Sequence, residues 1–172
     1  MSLSVNALYG ANVYINGASF FGQAEEVTLP DLKPVMLEHK AMGMVGKTSL
    51  PAGFDKMEAR IKFNSIYPEV MKVTADITRS HQVQFRSSLE THVGGNRVAE
   101  VPVVAFVRGK FTNVPAINIK QQDNPEGETT MVVDAYRLEI AGEEIFNIDI
   151  PASIYRVAGE DKLAAYRANL GI

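Results

Sequence analysis

The stretch AMGMVGKT, residues 41–48, carries the residue types that could hold a nucleotide. It ends in Gly46-Lys47-Thr48, with Ala41 at the position where a strict phosphate-binding loop has glycine and looser versions accept alanine. In such a loop backbone amides cradle the phosphates, the lysine reaches the outer ones and the hydroxyl binds a magnesium ion. That chemistry needs a buried strand before the loop and a helix opening directly after it. Here VMLEHK precedes Ala41 and is only marginally strand-like, while Leu50, Pro51 and Gly53 follow Thr48 and oppose a helix. The flanks favour a glycine-rich surface loop with Lys47 as a rim charge. A small nucleotide-binding protein using Lys47 and Thr48 is the competing reading.

Other reactive groups offer less. The chain has no cysteine, which rules out disulfides, thiolate nucleophiles and thiol-ligated metals and suits a reducing cytoplasm. His81 and His92 flank one strand-like segment, and His92 shares a face with Glu90, but a metal site needs further ligands at suitable spacing. Both histidines read as solvent-facing or interface groups. No G-x-S-x-G elbow anchors a serine nucleophile. The carboxylates at 25–26, 126, 128 and 143–144 read as solvated groups at turns. No catalytic, cofactor-binding or metal-binding residue is assigned, and no cofactor is expected.

The elements around these residues are mostly strands. The 172 residues, 46% hydrophobic with a net charge of -3, suffice for one domain with a core, taken as residues 1–172. Clustered Lys and Arg for gripping nucleic acid are missing, and no segment approaches the ~20 apolar residues of a membrane span. The N-terminus does not read as a signal peptide, so a soluble protein not secreted by the usual route is expected. Asn16-Gly17 between two β-prone runs predicts a hairpin whose second strand stops near Pro30. Residues 31–53 collect Pro34, Gly43, Gly46, Pro51 and Gly53 and predict a long irregular loop. In FDKMEARIKFN, Met57, Ala59, Ile61 and Phe63 alternate with Lys56, Glu58, Arg60 and Lys62, which predicts a half-buried strand.

Ile66, Val70, Val73 and Ile77 recur at helical spacing, with Ser65 or Asn64 as cap and Pro68 in the first turn. QVQFRSSLETHV and RVAEVPVVAFVRGKFTNV predict strands joined by a turn at GGN, with Pro102 at a bulge or edge. QQDNPEGET reads as a polar turn, and a further hairpin is expected about Ala141-Gly142. Leu163, Tyr166, Arg167 and Leu170 mark a short C-terminal helix ending near Gly171. About seven strands and two helices predict a mainly β (α+β) fold. The expected form is a small antiparallel two-sheet barrel or sandwich with one central and one C-terminal helix.

Methionine is the least ordinary feature of the long loop. Met36, Met42, Met44 and Met57 lie in or beside it with Val35, Leu37, Val45 and Leu50. Flexible thioether side chains suit adaptable contacts with a partner. The alternative is that the loop folds back onto its own core.

Several stretches, in order along nearly the whole chain, resemble the major tail tube proteins of contractile-tailed bacteriophages. That family includes the P2-like phage tubes and the R-type pyocin tubes. The resemblance is carried by NVYINGASFFGQAEEVTLPDLK, AMGMVGK, VPVVAFVRGKFTNV, AYRLEIAGEEIFNIDI and the ending VAGEDKLAAYRANLGI. Residues 64–100 match only in pattern, and the last residue is Ile172 where leucine is expected.

The resemblance implies a structural, non-enzymatic subunit that self-assembles into six-membered rings. Stacked rings would form the hollow inner tube of a contractile tail, built in the host cytoplasm and carried in the virion. Its implied partners are further copies of itself and the tail sheath, baseplate and tape-measure proteins. Double-stranded DNA would pass through without specific binding, and no membrane anchor is implied. On this reading Met36, Met42, Gly43, Met44, Val45 and Leu50 seat one subunit or ring against the next. Some of Glu58, Glu90, Asp134 and Glu139 would face the lumen and repel phosphate. A pyocin-like or secretion-system inner tube would share the same physics with a different cargo.

Overall fold

The computed structural model describes residues 3–117 and 125–172. The cleanest alternation in the sequence becomes the cleanest strand, Met57–Phe63, in which Met57, Ala59, Ile61 and Phe63 are all buried. Its neighbours in chain order are β1 (Ser4–Ile15), β2 (Ala18–Ser19), β3 (Ala24–Thr28), β4 (Pro34–His39) and β5 (Thr48–Phe54). Met57–Phe63 itself is β6. It is followed by α1 (Pro68–Ala75), β7 (His81–Val93), β8 (Asn96–Phe111), β9 (Gly127–Ile140), β10 (Glu143–Asp149), β11 (Ile154–Val157), β12 (Glu160–Asp161) and α2 (Ala164–Leu170).

All pairings are antiparallel, and tight turns set their register. Asn16 (φ 50°) and Gly17 (φ 85°) both take positive φ between β1 and β2, as a two-residue hairpin turn requires. Ala141 and Gly142 repeat the device between β9 and β10. Ten strands form one sheet in the order β12-β11-β10-β9-β8-β7-β1-β2, with β6 beside the first half of β9 and β3 beside β6. Side chains from β1, β6, β7, β8, β9 and β10 meet in a single core cluster, so the sheet curls over its own inner face. No pairing among the described residues joins β3 to β2, so the curl is an open sandwich rather than a closed barrel. The mainly β prediction with two helices holds.

Close packing bears hardest on one glycine. At Gly109 a Cβ would lie 2.0 Å from the carbonyl oxygen of Val132, beside a register shift between β8 and β9. Pro102 occupies an edge position, as expected: it pairs with Ser88 of β7, while β9 joins β8 only from Val103.

Several expectations need correction. Residues 34–54 are not irregular but a two-stranded hairpin, β4–β5, paired from Pro34–Phe54 to His39–Thr48. α1 is shorter than predicted: Tyr67 stands at its N-cap, and Ile66 and Ile77 lie outside it and are exposed. Asn64 caps nothing; its side-chain amide donates to the Gly22 carbonyl and its carbonyl oxygen accepts from the Tyr67 hydroxyl. His81 is buried rather than solvent-facing, hydrogen-bonded to Asn16 at 2.9 Å and packed against Phe111. In the polar turn QQDNPEGET, residues 121–124 lie outside the described residues.

Candidate functional site

The nucleotide reading can be tested on geometry. Thr48 opens β5 and pairs with His39, so Gly46-Lys47-Thr48 leads into a strand and not into a helix N-terminus. The Lys47 ammonium is committed across the hairpin to Glu38 at 2.5 Å. The glycine-rich stretch is the tip of a hairpin, closed by the Met44 amide donating to the Ala41 carbonyl.

What distinguishes this hairpin is that nothing among the described residues covers it. β4 and β5 pair only with each other among the described strands. Met36, Leu37 and Leu50 are each about half exposed or more, Met44 is 42% exposed, and Met42 and Val45 are fully exposed. Gly43, with positive φ, shapes the tip. All six residues singled out from the sequence thus share one projecting element. A lone two-stranded hairpin is marginally stable in water, so an apolar one needs a surface to lie on.

A second outlying region was only partly legible in the sequence, which predicts its β7–β8 hairpin but not its Ser4–Gly10 strand. Residues Ser4–Gly10 of β1, Ser87–Val93 of β7 and Asn96–Pro102 of β8 form a three-stranded ribbon without one buried residue. It exposes Leu3, Val5, Leu8, Tyr9 and Val98. SVNALYG alternates only from Ser4 to Ala7, and its lack of any charge was the available signal. α2 is similar: it buries no residue and exposes Tyr166 and Leu170, while Arg167 ties it to Asp161 and to the Ser153 carbonyl.

A compact monomer of 18.8 kDa exposes about 8,300 Å², whereas this chain exposes 11304 Å².

The predicted acidic residues are scattered, and three are neutralised. Glu58, Glu90 and Glu139 all lie on the sheet face turned away from the core. Glu58 pairs with Lys56 at 2.6 Å, and that contact holds its carboxyl below the usual carboxylate range. Glu90 is held by Arg97 at 2.7 Å and His92 at 3.0 Å, and Arg97 first, then His92, lowers its pKa. Glu139 pairs with Arg137 at 3.1 Å, whose guanidinium also stacks on Phe106. Asp134 lies at the register shift of β9 and has no ion-pair partner among the described residues. On the same face Arg108 grips Asp149 and Arg156 grips Glu144 through paired hydrogen bonds. The resulting surface is densely charged yet internally balanced. His81 and His92 are not brought together, and no group of three potential metal ligands occurs among the described residues.

Comparison with known proteins accounts for a domain built this way. The tail tube protein of Escherichia phage P2 is 28% identical over 167 residues, covering 94% of each chain. The sheath–tube complex of an extracellular contractile injection system in its extended state superposes with a TM-score of 0.51 at 15% identity, over 76% of this chain and 88% of that one. The sheath/tube terminator of the same kind of system gives 0.49 at 14% identity. These likenesses of structure concern the fold. The family model described as phage tail tube protein FII matches residues 5–171, and the chain belongs to that family.

Proposed function

We propose that this chain is the structural subunit of a contractile tail tube and that it works by self-assembly rather than catalysis. Six copies form a ring, and stacked rings form a hollow tube carried in the virion tail after assembly in the host cytoplasm. The observation that carries this is the β4–β5 hairpin, an apolar element that no other part of the described residues covers. The chain as a whole shows a surface about 3,000 Å² larger than a compact monomer would. An interface of standard size takes about 800 Å² from each partner, so this excess suits several contacts per subunit.

The hairpin residues Met36, Met42, Gly43, Met44, Val45 and Leu50 seat a neighbouring subunit or ring in this reading. The sheath packs outside, and baseplate and tape-measure proteins bound the tube's ends and length. DNA passes through a lumen lined by strands. Where Glu58, Glu90 or Glu139 reach that lumen, carboxylates already matched to Lys or Arg leave few free cations to hold phosphate, and Asp134, without an ion-pair partner among the described residues, would add negative charge. A paired surface lets the duplex slide for a different reason than an acidic one: it neither binds nor strongly repels. The family membership supports this reading, and it applies equally to a headless tail.

Negative-stain electron microscopy of the purified protein, over a rising concentration series, tests the proposal. Rings or hollow tubes are expected. A monomer at every concentration would overturn it.

A further inference from the structure

The backbone of the outlying hairpin specifies which of its two edges can take a partner. Directly opposed residues of an antiparallel pair alternate between exchanging both backbone hydrogen bonds and turning both N–H and C=O outward. Met36 stands opposite Pro51. Proline has no N–H to give, so this pair is of the outward kind. The register then runs without a shift to His39–Thr48, so Glu38 and Ser49 are outward as well. The free side of β4 therefore offers N–H and C=O at both Met36 and Glu38. The free side of β5 has a gap where Pro51 lacks its donor.

A second unguarded edge lies on the ribbon. Ile15 and Ala18 close the Asn16-Gly17 turn, and the Phe20 amide donates to the Val13 carbonyl at 2.8 Å. Val13 and Ile15 thus turn their backbone away from β7. The shift at Gly10 moves the alternation by one, so Ser4, Asn6 and Leu8 are the outward residues of the first half of β1. β2 pairs only with Tyr14 and Ile15, and no described strand covers Ser4–Leu8 on that side. Natural edges are usually blunted by charge or proline. β3 carries Glu25 and Glu26, and the free part of β8 carries Arg97, Glu100 and Pro102. SVNALYG carries neither charge nor proline.

We propose that β4 of one copy pairs antiparallel with Ser4–Leu8 of β1 in a second copy, continuing the ten-stranded sheet across the subunit boundary. This rests on the tube reading above and names the edges that join its subunits. The side chains agree with the backbone. Outward residues must oppose outward ones, so Met36 falls opposite Asn6 or Leu8. Either register lays Val35 and Leu37 against members of the row Val5, Ala7 and Tyr9, apolar against apolar. A contact between two different edges is heterologous, the kind that closes into rings when the rotation allows.

Proline placed at outward positions tests this, because it removes one edge donor and leaves the strand's own ladder intact. Met36→Pro and Asn6→Pro proteins should unfold with wild-type midpoints yet form no rings or tubes by sedimentation and negative-stain microscopy. Ser49→Pro, the matched change on β5, should assemble like the wild type. Since the chain has no native cysteine, oxidising a mixture of Leu37→Cys protein with Val5→Cys or Ala7→Cys protein should give disulfide-linked dimers. Leu50→Cys in place of Leu37→Cys should give none. Tubes from Met36→Pro, or no cross-link at either β1 position in assembling protein, would overturn the edge pairing while leaving the tube reading standing. A wild type that never assembles would overturn the tube reading and the pairing with it.

Discussion

β5 and β6 are adjacent in sequence, equal in length and both antiparallel, yet they live in opposite environments. In β6 every second residue is buried among the core side chains. In β5 the first six residues are exposed, although Leu50, Pro51 and Ala52 are apolar. β6 has neighbours on both sides, β3 and β9, and a core beneath it, whereas β5 has only β4. Apolar character is thus distributed in this chain for two purposes. One set of residues holds the monomer together, and the other lies exposed on its surface. The separation means that stability and assembly are open to independent perturbation.

The largest effect is expected in the core. Phe63, 1% exposed and edge-on to Tyr67, should cost about 3–5 kcal/mol when changed to alanine, read by urea unfolding. A cost under about 1 kcal/mol would mean that β6 is not the keystone this comparison makes it. Gly109→Ala should follow closely, losing about 3 kcal/mol, because the new methyl group meets backbone rather than a side chain that could swing away.

Next comes the latch on α2. The Arg167 guanidinium, with the Leu163 amide, holds the Asp161 carboxyl below its usual range. A carboxyl whose folded pKa is depressed lends stability above its ordinary value of about 3.9, and that stability is lost as pH falls. Asp161→Asn should therefore lower the thermal midpoint near neutral pH, and the gap to wild type should close as both are acidified. A gap that stays constant into strong acid would show that the ion pair is not its cause. The smallest effect on stability belongs to the hairpin tip. Met42→Ser with Val45→Ser should leave monomer unfolding within about 0.5 kcal/mol of wild type while diminishing assembly.

The same contrast explains what was legible in the sequence. Where one face is buried and the other wet, burial writes itself as alternation, and β6, β7 and the β9–β10 hairpin could be read directly. The hairpin β4–β5 could not, because its punctuation means something else. Pro34 is the first residue of its strand, Pro51 occupies an edge position, and Gly53 adopts φ 100° beside a register shift. Each is a loop signal in a buried strand and a tolerated feature of an exposed edge. Methionine content rather than periodicity singles out Met36, Met42, Gly43, Met44, Val45 and Leu50. Of the ribbon, QVQFRSSLETHV, GGN and RVAEVPVVAFVRGKFTNV predict the β7–β8 hairpin, whereas Ser4–Gly10 escapes because its alternation stops at Ala7 and it buries nothing within the chain. The pairing of Glu90 with Arg97 was hidden, since it crosses from β7 to β8 through strand register, whereas Glu58 with Lys56 and Glu139 with Arg137 are neighbours two residues apart on one strand.

The most direct test of the division between core and outliers is to replace residues 35–53 by a short Gly-Ser linker, then measure thermal unfolding and assembly on the same sample. The account predicts a cooperative transition close to the wild-type midpoint and a complete loss of rings and tubes. A variant that fails to fold, or one that still builds tubes, would contradict it.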